Sequence, residues 1–215
     1  MPTLYGVNAS PFVRKVRVVL AEKGVPYDHE PVMPGSTDPE YRKMSPLGKI
    51  PALRDGDRAF SDSSVICQYV ERLHPEPVLY PDDPYEFARA LWFEEYADTA
   101  LIEVFGPKIF FPRVVGKRFM GQEPDEAAIQ KVVDEELPPR FDYLESQLGH
   151  GPYLVGDRLT IGDVAVASVF VNLAHAGEGP AAARWPKLAR YVAAHHERPT
   201  FVPLIAEERA FLGLG

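Results

Sequence analysis

The sequence predicts an α/β domain followed by an all-α helical bundle domain, and three observations carry that reading. The first eighty residues alternate short strand patterns with helical ones. The prolines Pro75, Pro77, Pro81 and Pro84 then interrupt both kinds of pattern. Every apolar pattern after them has helical spacing. The boundaries that follow are residues 1–80 for the first domain, 81–86 for a linker and 87–215 for the helical domain.

Thr3-Leu4-Tyr5-Gly6-Val7 reads as a strand and Pro11 to Lys23 as a helix stopped by Gly24. In that helix Val13, Val16 and Leu20 share one face, and Arg14, Lys15 and Arg17 are expected in solvent. Tyr27 to Val32 fits a second strand, parallel to the first through a right-handed crossover. Ala52-Leu53-Arg54 and Arg58-Ala59-Phe60 flank Asp55-Gly56-Asp57, which is a hairpin signal. Ser63 to Leu73 is the next helix, with Val65, Ile66, Tyr69 and Val70 as its apolar residues. The expected order is β-α-β-β-β-α.

After the prolines, Phe87 to Phe105 reads as one helix, broken at Gly106-Pro107 and again at Pro112. Asp125 to Leu148 is another, with a break expected at Pro138-Pro139. Thr160 to Ala176 and Lys187 to His196 complete the set. Thr160 and Asp163 have capping-box spacing, and Leu159 and Val164 that of a hydrophobic staple. This is a folding signal, distinct from any site.

Composition narrows the function. The net charge is −8, with 10 basic and 10 acidic residues in 1–80 against 13 and 21 in 81–215. An acidic excess disfavours nucleic acid, which needs a basic face. No run of eighteen apolar residues marks a membrane span, and the first residues do not read as a signal peptide. A lone cysteine, Cys67, allows no internal disulfide and fits the cytoplasm; among apolar neighbours it reads as a buried structural thiol. The six histidines have no metal-ligand spacing and most read as solvated or capping groups, so no metal is expected.

The densest chemical signal is Lys49-Ile50-Pro51-Ala52-Leu53 followed by Asp62-Ser63. A proline ahead of a strand removes a ladder donor and tolerates a cis bond. A kink there turns the Ile50 N–H and C=O outward, where an extended peptide can pair with them. Asp62 and Ser63 at a helix N-terminus suit an ammonium and a carboxylate together. The ligand these groups describe is a small zwitterionic peptide.

The order of domains resembles the cytosolic glutathione transferases, whose first domain is thioredoxin-like. The residues that carry the likeness are Ser10-Pro11-Phe12-Val13-Arg14-Lys15-Val16-Arg17, Ile50-Pro51-Ala52-Leu53, Asp62-Ser63-Ser64-Val65-Ile66 and Leu159-Thr160-Ile161-Gly162-Asp163. Arg198-Pro199 also looks like the family's closing helix. The N-terminal motif is of the bacterial serine type, similar to the tau and omega branches. The resemblance implies that glutathione, as co-substrate, lies along Phe12, Lys49, Ile50, Pro51, Asp62 and Ser63. Ile50 would pair with the cysteinyl unit beside a cis Pro51. Ser63 would hold the γ-glutamyl carboxylate, Asp62 the ammonium and Lys49 the glycyl carboxylate. Many members carry Glu or Gln where this chain has Asp62.

Ser10 is the catalytic residue that the resemblance implies. The thiolate is the nucleophile, and a hydroxyl at the positive end of a helix favours it. Lowering a thiol pKa by two units needs about 2.7 kcal/mol, within reach of one charge-assisted hydrogen bond plus a helix terminus. Ser-Pro at a helix start is also what N-capping alone predicts, so both roles stand for Ser10. Asn8 and Ser64 are the alternatives if Ser10 is only a cap.

Trp92, Tyr96, Phe105, Phe110, Phe111 and Phe119 read mainly as core. By resemblance, Tyr96, Phe105, Phe110, Phe111 and Arg113 wall the site of an electrophilic, apolar or aromatic small molecule. The implied activity is conjugation of glutathione to that electrophile by a homodimer, with no nucleic acid or membrane partner. A glutathione-dependent isomerase or dehalogenase, and a non-catalytic scaffold or stress regulator, are the alternative readings.

Overall fold

The computed structural model describes residues 1–214, which form two compact units, Met1–Tyr80 and the chain from Pro81 onward. In the first unit, strands β1 (Thr3–Tyr5), β2 (Asp28–Glu30), β3 (Ala52–Asp55) and β4 (Arg58–Ser61) form one mixed sheet of order β2-β1-β3-β4. β1 pairs parallel to β2, with Leu4 opposite His29, and antiparallel to β3, with Leu4 opposite Leu53. β3 and β4 are the expected hairpin, closed at Gly56 with φ of 59°. Leu4, Val16, Leu20, Leu53 and Ile66 are fully buried between the sheet and its helices α1 (Pro11–Glu22) and α3 (Ser63–Leu73).

The expected order is present with one helix more. Helix α2 (Pro39–Met44) begins at Asp38, whose carboxylate accepts the Glu40 N–H at 2.8 Å, with Pro39 in the first turn. Asp38-Pro39-Glu40 is a start signal in the sequence, but six residues give no periodicity to read.

Two expectations about the helix faces are overturned. Arg14, Lys15 and Arg17 are buried. The Lys15 ammonium donates to Ser64 Oγ at 3.0 Å, and Arg17 Nε donates to the Tyr27 hydroxyl at 2.8 Å. Their long stems lie in the interior and their polar ends find partners there. In α3 the inward stripe is Ile66, Cys67 and Val70, whereas Val65 falls one position off it and is exposed.

The second unit is helical throughout: α4 (Pro84–Tyr96), α5 (Ile102–Val104), α6 (Lys117–Met120), α7 (Glu126–Glu135), α8 (Leu137–Gln147), α9 (Ile161–His175), α10 (Pro186–His196) and α11 (Val202–Leu212). Gly106-Pro107 does not break the chain. Ala97–Leu101 and Phe105–Gly116 on either side of α5 are wound as π-helix, and Pro112 sits inside the second stretch. A proline clashes with the carbonyl four residues back and lacks an N–H, and the wider π turn relieves that approach without ending the helix. The break expected near Pro138-Pro139 lies at Glu136, between α7 and α8.

α9 is the axis of this unit, buried at every residue except Ala174. It starts at the anticipated capping box. The closing helix expected at Arg198-Pro199 is α11, which starts only at Val202; Arg198-Pro199 forms the turn ahead of it, and a 2.9 Å contact between His175 and Glu208 ties it to α9. His175 and His195 are buried, so these two of the six histidines are not solvated. Of the six aromatic residues read as core, Phe105 and Phe110 are buried, whereas Trp92, Phe111 and Phe119 are exposed. Among the described residues no helix is long and apolar enough to cross a membrane.

α4 and α9 approach closely at Gly162. A Cβ there would stand 2.9 Å from both the Ala90 carbonyl oxygen and Phe93 Cβ. Gly162→Ala is therefore expected to destabilise the unit by about 1–3 kcal/mol in urea denaturation, because a backbone contact must open. Alanine's better helix propensity, worth about 1 kcal/mol, opposes that loss without cancelling it.

Candidate functional site

One corner of the first unit gathers most of the residues singled out in its sequence. β1 is followed by Gly6, whose φ of +148° aims its missing side chain at Val13 and, 3.3 Å from its Cβ position, at Ile50 Cβ. Only glycine fits there. This close approach brings the first turn of α1 beside the Ile50-Pro51 turn.

Ser10 caps α1. Its N–H donates to the Val7 carbonyl at 3.2 Å, and its Oγ accepts the Val13 N–H at 3.4 Å, a long bond. Capping uses one lone pair of the hydroxyl and leaves its O–H proton as a donor. Pro11 occupies the first helical position and Phe12 is half-buried beside it.

The Ile50–Pro51 bond is cis. Ile50 lies outside the ladder, and among the described residues neither of its backbone groups pairs with another backbone group. The Pro51 carbonyl accepts the Asp62 N–H at 3.3 Å, which fastens the turn to the start of α3.

Asp62 has a φ of 86°, the one positive value outside glycine among the described residues. Its Oδ1 accepts the Ser64 N–H at 2.9 Å and the Val65 N–H at 3.2 Å. Both capping bonds fall on one oxygen, so Oδ2 of this exposed residue remains to face a cation. Ser63, the first residue of α3, is buried and carries a helix N-terminal amide that those bonds do not use. Of the two alternatives to Ser10, Ser64 is engaged by Lys15. Lys49 is exposed, while its carbonyl oxygen accepts two hydroxyls, from Tyr41 at 2.7 Å and from Ser45 at 2.8 Å. Tyr41 and Ser45 were not anticipated, since α2 itself was not.

This donor set fits a peptide bearing an ammonium and two carboxylates. An orphan carboxylate oxygen suits the ammonium, a helix N-terminus one carboxylate and an exposed lysine the other. Among the described residues no group of three or more His, Cys, Asp or Glu is placed to hold a metal ion.

The five residues assigned to an acceptor wall are less uniform. Phe105 is fully buried against Phe141 and Phe170, with ring centroids 6.1 and 5.3 Å away, so it is core. Arg113 is committed: it donates to Glu126 at 2.9 Å, to Glu178 at 2.6 Å and to the Ala176 carbonyl at 3.1 Å. Burial alone would lower its pKa, but the two carboxylates outweigh it and hold the guanidinium charged. Tyr96 is half-buried, its ring centroid 4.9 Å from that of Tyr143 with the planes tilted by 52°, and its hydroxyl pKa is raised by burial against a smaller opposing effect of Arg140. Phe110 is buried and Phe111 exposed.

Residues 4–78 match the family model for the glutathione S-transferase N-terminal domain, and residues 113–207 the one for the C-terminal domain. A glutathione S-transferase of Triticum aestivum is 34% identical over 168 residues, which span 77% of this chain and 75% of that protein. Two solved structures share the architecture. One is a glutathione S-transferase from Rhodospirillum rubrum F11, with a TM-score of 0.83 at 26% identity, covering 95% of this chain and 91% of that one. The other is a theta class enzyme from Xanthomonas axonopodis pv. citri with glutathione bound, with a TM-score of 0.79 at 27% identity and coverage of 95% and 96%.

Proposed function

The chain belongs to the glutathione S-transferase family, and from that premise we propose that it binds glutathione in its first unit and joins the glutathione sulfur to apolar or aromatic electrophiles. The observation that carries this reading is the link from the cis Ile50–Pro51 turn to the N-terminus of α3, through the Asp62 N–H and the Pro51 carbonyl. It sets an unpaired peptide edge beside an anion-binding helix end.

In this reading Ile50 pairs its backbone with the cysteinyl unit of glutathione, with Pro51 and Phe12 alongside. Asp62 Oδ2 takes the γ-glutamyl ammonium. The Ser63 amide and hydroxyl take the neighbouring carboxylate, and Lys49 neutralises the glycyl carboxylate. The Ser10 O–H donates to the sulfur and favours the thiolate, so that the thiol gives its proton to solvent water and the anion is held. The thiolate then attacks the electrophilic carbon, a C–S bond forms, and the leaving group departs with its electron pair or an adjacent carbon takes the charge. The protein's contribution is ionisation and placement. Tyr96, Phe110 and Phe111 are proposed to meet the acceptor, a homodimer is the proposed assembly, and the cytoplasm is the proposed setting.

The test is retention on immobilised glutathione, with thiolate absorbance in the ultraviolet followed against pH. Wild type is expected to bind and to ionise the thiol near neutrality; absence of binding overturns the reading. Asp62→Asn keeps the helix cap and removes the charge, and is expected to weaken binding about tenfold at unchanged melting temperature.

A further inference from the structure

The two hydroxyls on the Lys49 carbonyl belong to residues that no motif in the sequence marks. We propose that Tyr41 and Ser45 are positioning residues for glutathione, acting by fixing the orientation of the Lys49–Ile50 peptide unit. The inference rests on the glutathione-binding reading given above.

The Lys49 C=O and the Ile50 N–H belong to one peptide group. In a trans peptide these two groups point in opposite directions across a rigid plane. Whatever holds the carbonyl therefore aims the N–H. A carbonyl oxygen can only accept, so both the Tyr41 and the Ser45 hydroxyl donate to it, at 2.7 and 2.8 Å. Two donors occupy both lone pairs, and the Ile50 N–H is thereby turned away from α2.

Both donors are themselves held. Tyr41 and Ser45 are buried, and Tyr41 packs with Met44 and Ala52 in a small core that Tyr5, Val32 and Ile50 complete. The loop around them is stapled by Arg42, which donates to the Ser36 carbonyl at 2.6 Å and to the Pro46 carbonyl at 2.8 Å. Its guanidinium fills the space a side chain would need at Gly48, whose φ is +66°. Burial also raises the Tyr41 pKa, with an opposing effect from Ser45, so the phenol stays a donor across the neutral range.

A bound peptide that accepts from Ile50 meets an N–H whose direction is fixed in advance. Without the two hydroxyls the peptide unit is free to rotate, and binding must order it. The loss falls on glutathione binding in ground state and transition state alike, so KM rises and kcat holds.

The experiment is calorimetric titration of glutathione into the full chain, for wild type, Tyr41→Phe, Ser45→Ala and the double variant, with melting temperatures alongside. Tyr41→Phe keeps the ring and its packing. Each single variant is expected to weaken binding about threefold to tenfold, and the double variant more than tenfold. Ser45→Thr, which keeps a hydroxyl, is expected to bind within about twofold of wild type, an outcome a purely structural role would not predict. In wild type, glutathione is expected to slow exchange of the Ile50 amide hydrogen, and in the double variant to leave it fast. A folded double variant that binds as wild type does overturns the inference while leaving glutathione binding intact. Should the double variant fail to fold, Tyr41→Phe with wild-type affinity overturns it equally. If wild type does not bind, the functional reading falls and this inference with it.

Discussion

Asp163→Ala is expected to remove about 3–5 kcal/mol from the stability of the helical unit, a large part of the 5–15 kcal/mol typical of a domain. The Asp163 carboxylate is fully buried and accepts from the Leu154 N–H and the Thr160 N–H, each at 2.9 Å, from the Thr160 hydroxyl at 3.0 Å and from the Tyr191 hydroxyl at 3.2 Å. Truncation strands two backbone donors in the interior, each costing about 1–3 kcal/mol, and opens the N-terminus of the most buried helix. Urea denaturation followed by circular dichroism measures the loss, and a midpoint equal to wild type sinks the argument.

The same carboxyl predicts a pH dependence. Burial raises its pKa, and His195 with the hydrogen bonds from Leu154 and Thr160 only partly offsets that. A folded pKa above the unfolded one means that folding takes up a proton. The stabilisation linked to this group is complete below the unfolded pKa and is lost as pH rises through the folded value. Asp163→Asn has no such dependence, so the stability of wild type relative to Asp163→Asn is expected to grow as pH falls from neutrality toward the usual carboxylate range. Paired urea titrations across that range check the sign. A difference that shrinks on acidification contradicts it.

Ser10→Ala is expected to raise the pKa of bound glutathione thiol by about two units and to lower kcat/KM at neutral pH about a hundredfold. Retention on glutathione should persist, because Ile50, Asp62, Ser63 and Lys49 are untouched. The helix loses its cap as well, at a cost of about 1 kcal/mol or less, since the Ser10 Oγ to Val13 N–H distance is 3.4 Å. The two roles separate by pH. Above the free thiol pKa, near 8.5, glutathione ionises unaided and the rates of variant and wild type should converge. Parallel pH profiles at every pH would reduce Ser10 to a cap. Ser10→Thr keeps both the acceptor and the donor and should recover most of the rate.

Most of what stood legible in the sequence is short in range. The Thr160–Asp163 capping box, the Ser10-Pro11 helix start, the Gly56 hairpin and the Pro51 kink each involve partners within a few residues, so their spacing alone identifies them. The family likeness was legible for the same reason, because it rests on such local motifs set in order.

What only the tertiary structure decided is which surfaces meet. Arg14, Lys15 and Arg17 look like a solvated face until the Ser64 and Tyr27 hydroxyls are placed across from two of them. Phe105 reads as core from its apolar neighbours and as pocket wall from the family likeness until Phe141 and Phe170 close on it. Gly106-Pro107 reads as a break because a proline ends an ordinary helical turn, and a run of wider turns is a choice made by packing. The alternation of strand and helix, the caps and the Ile50-Pro51 turn are determined by the sequence, because each is made by neighbours along the chain. The aim of the Ile50 amide is set by hydroxyls five and nine residues away on a helix too short to read, so it exists only once α2 is folded against the sheet.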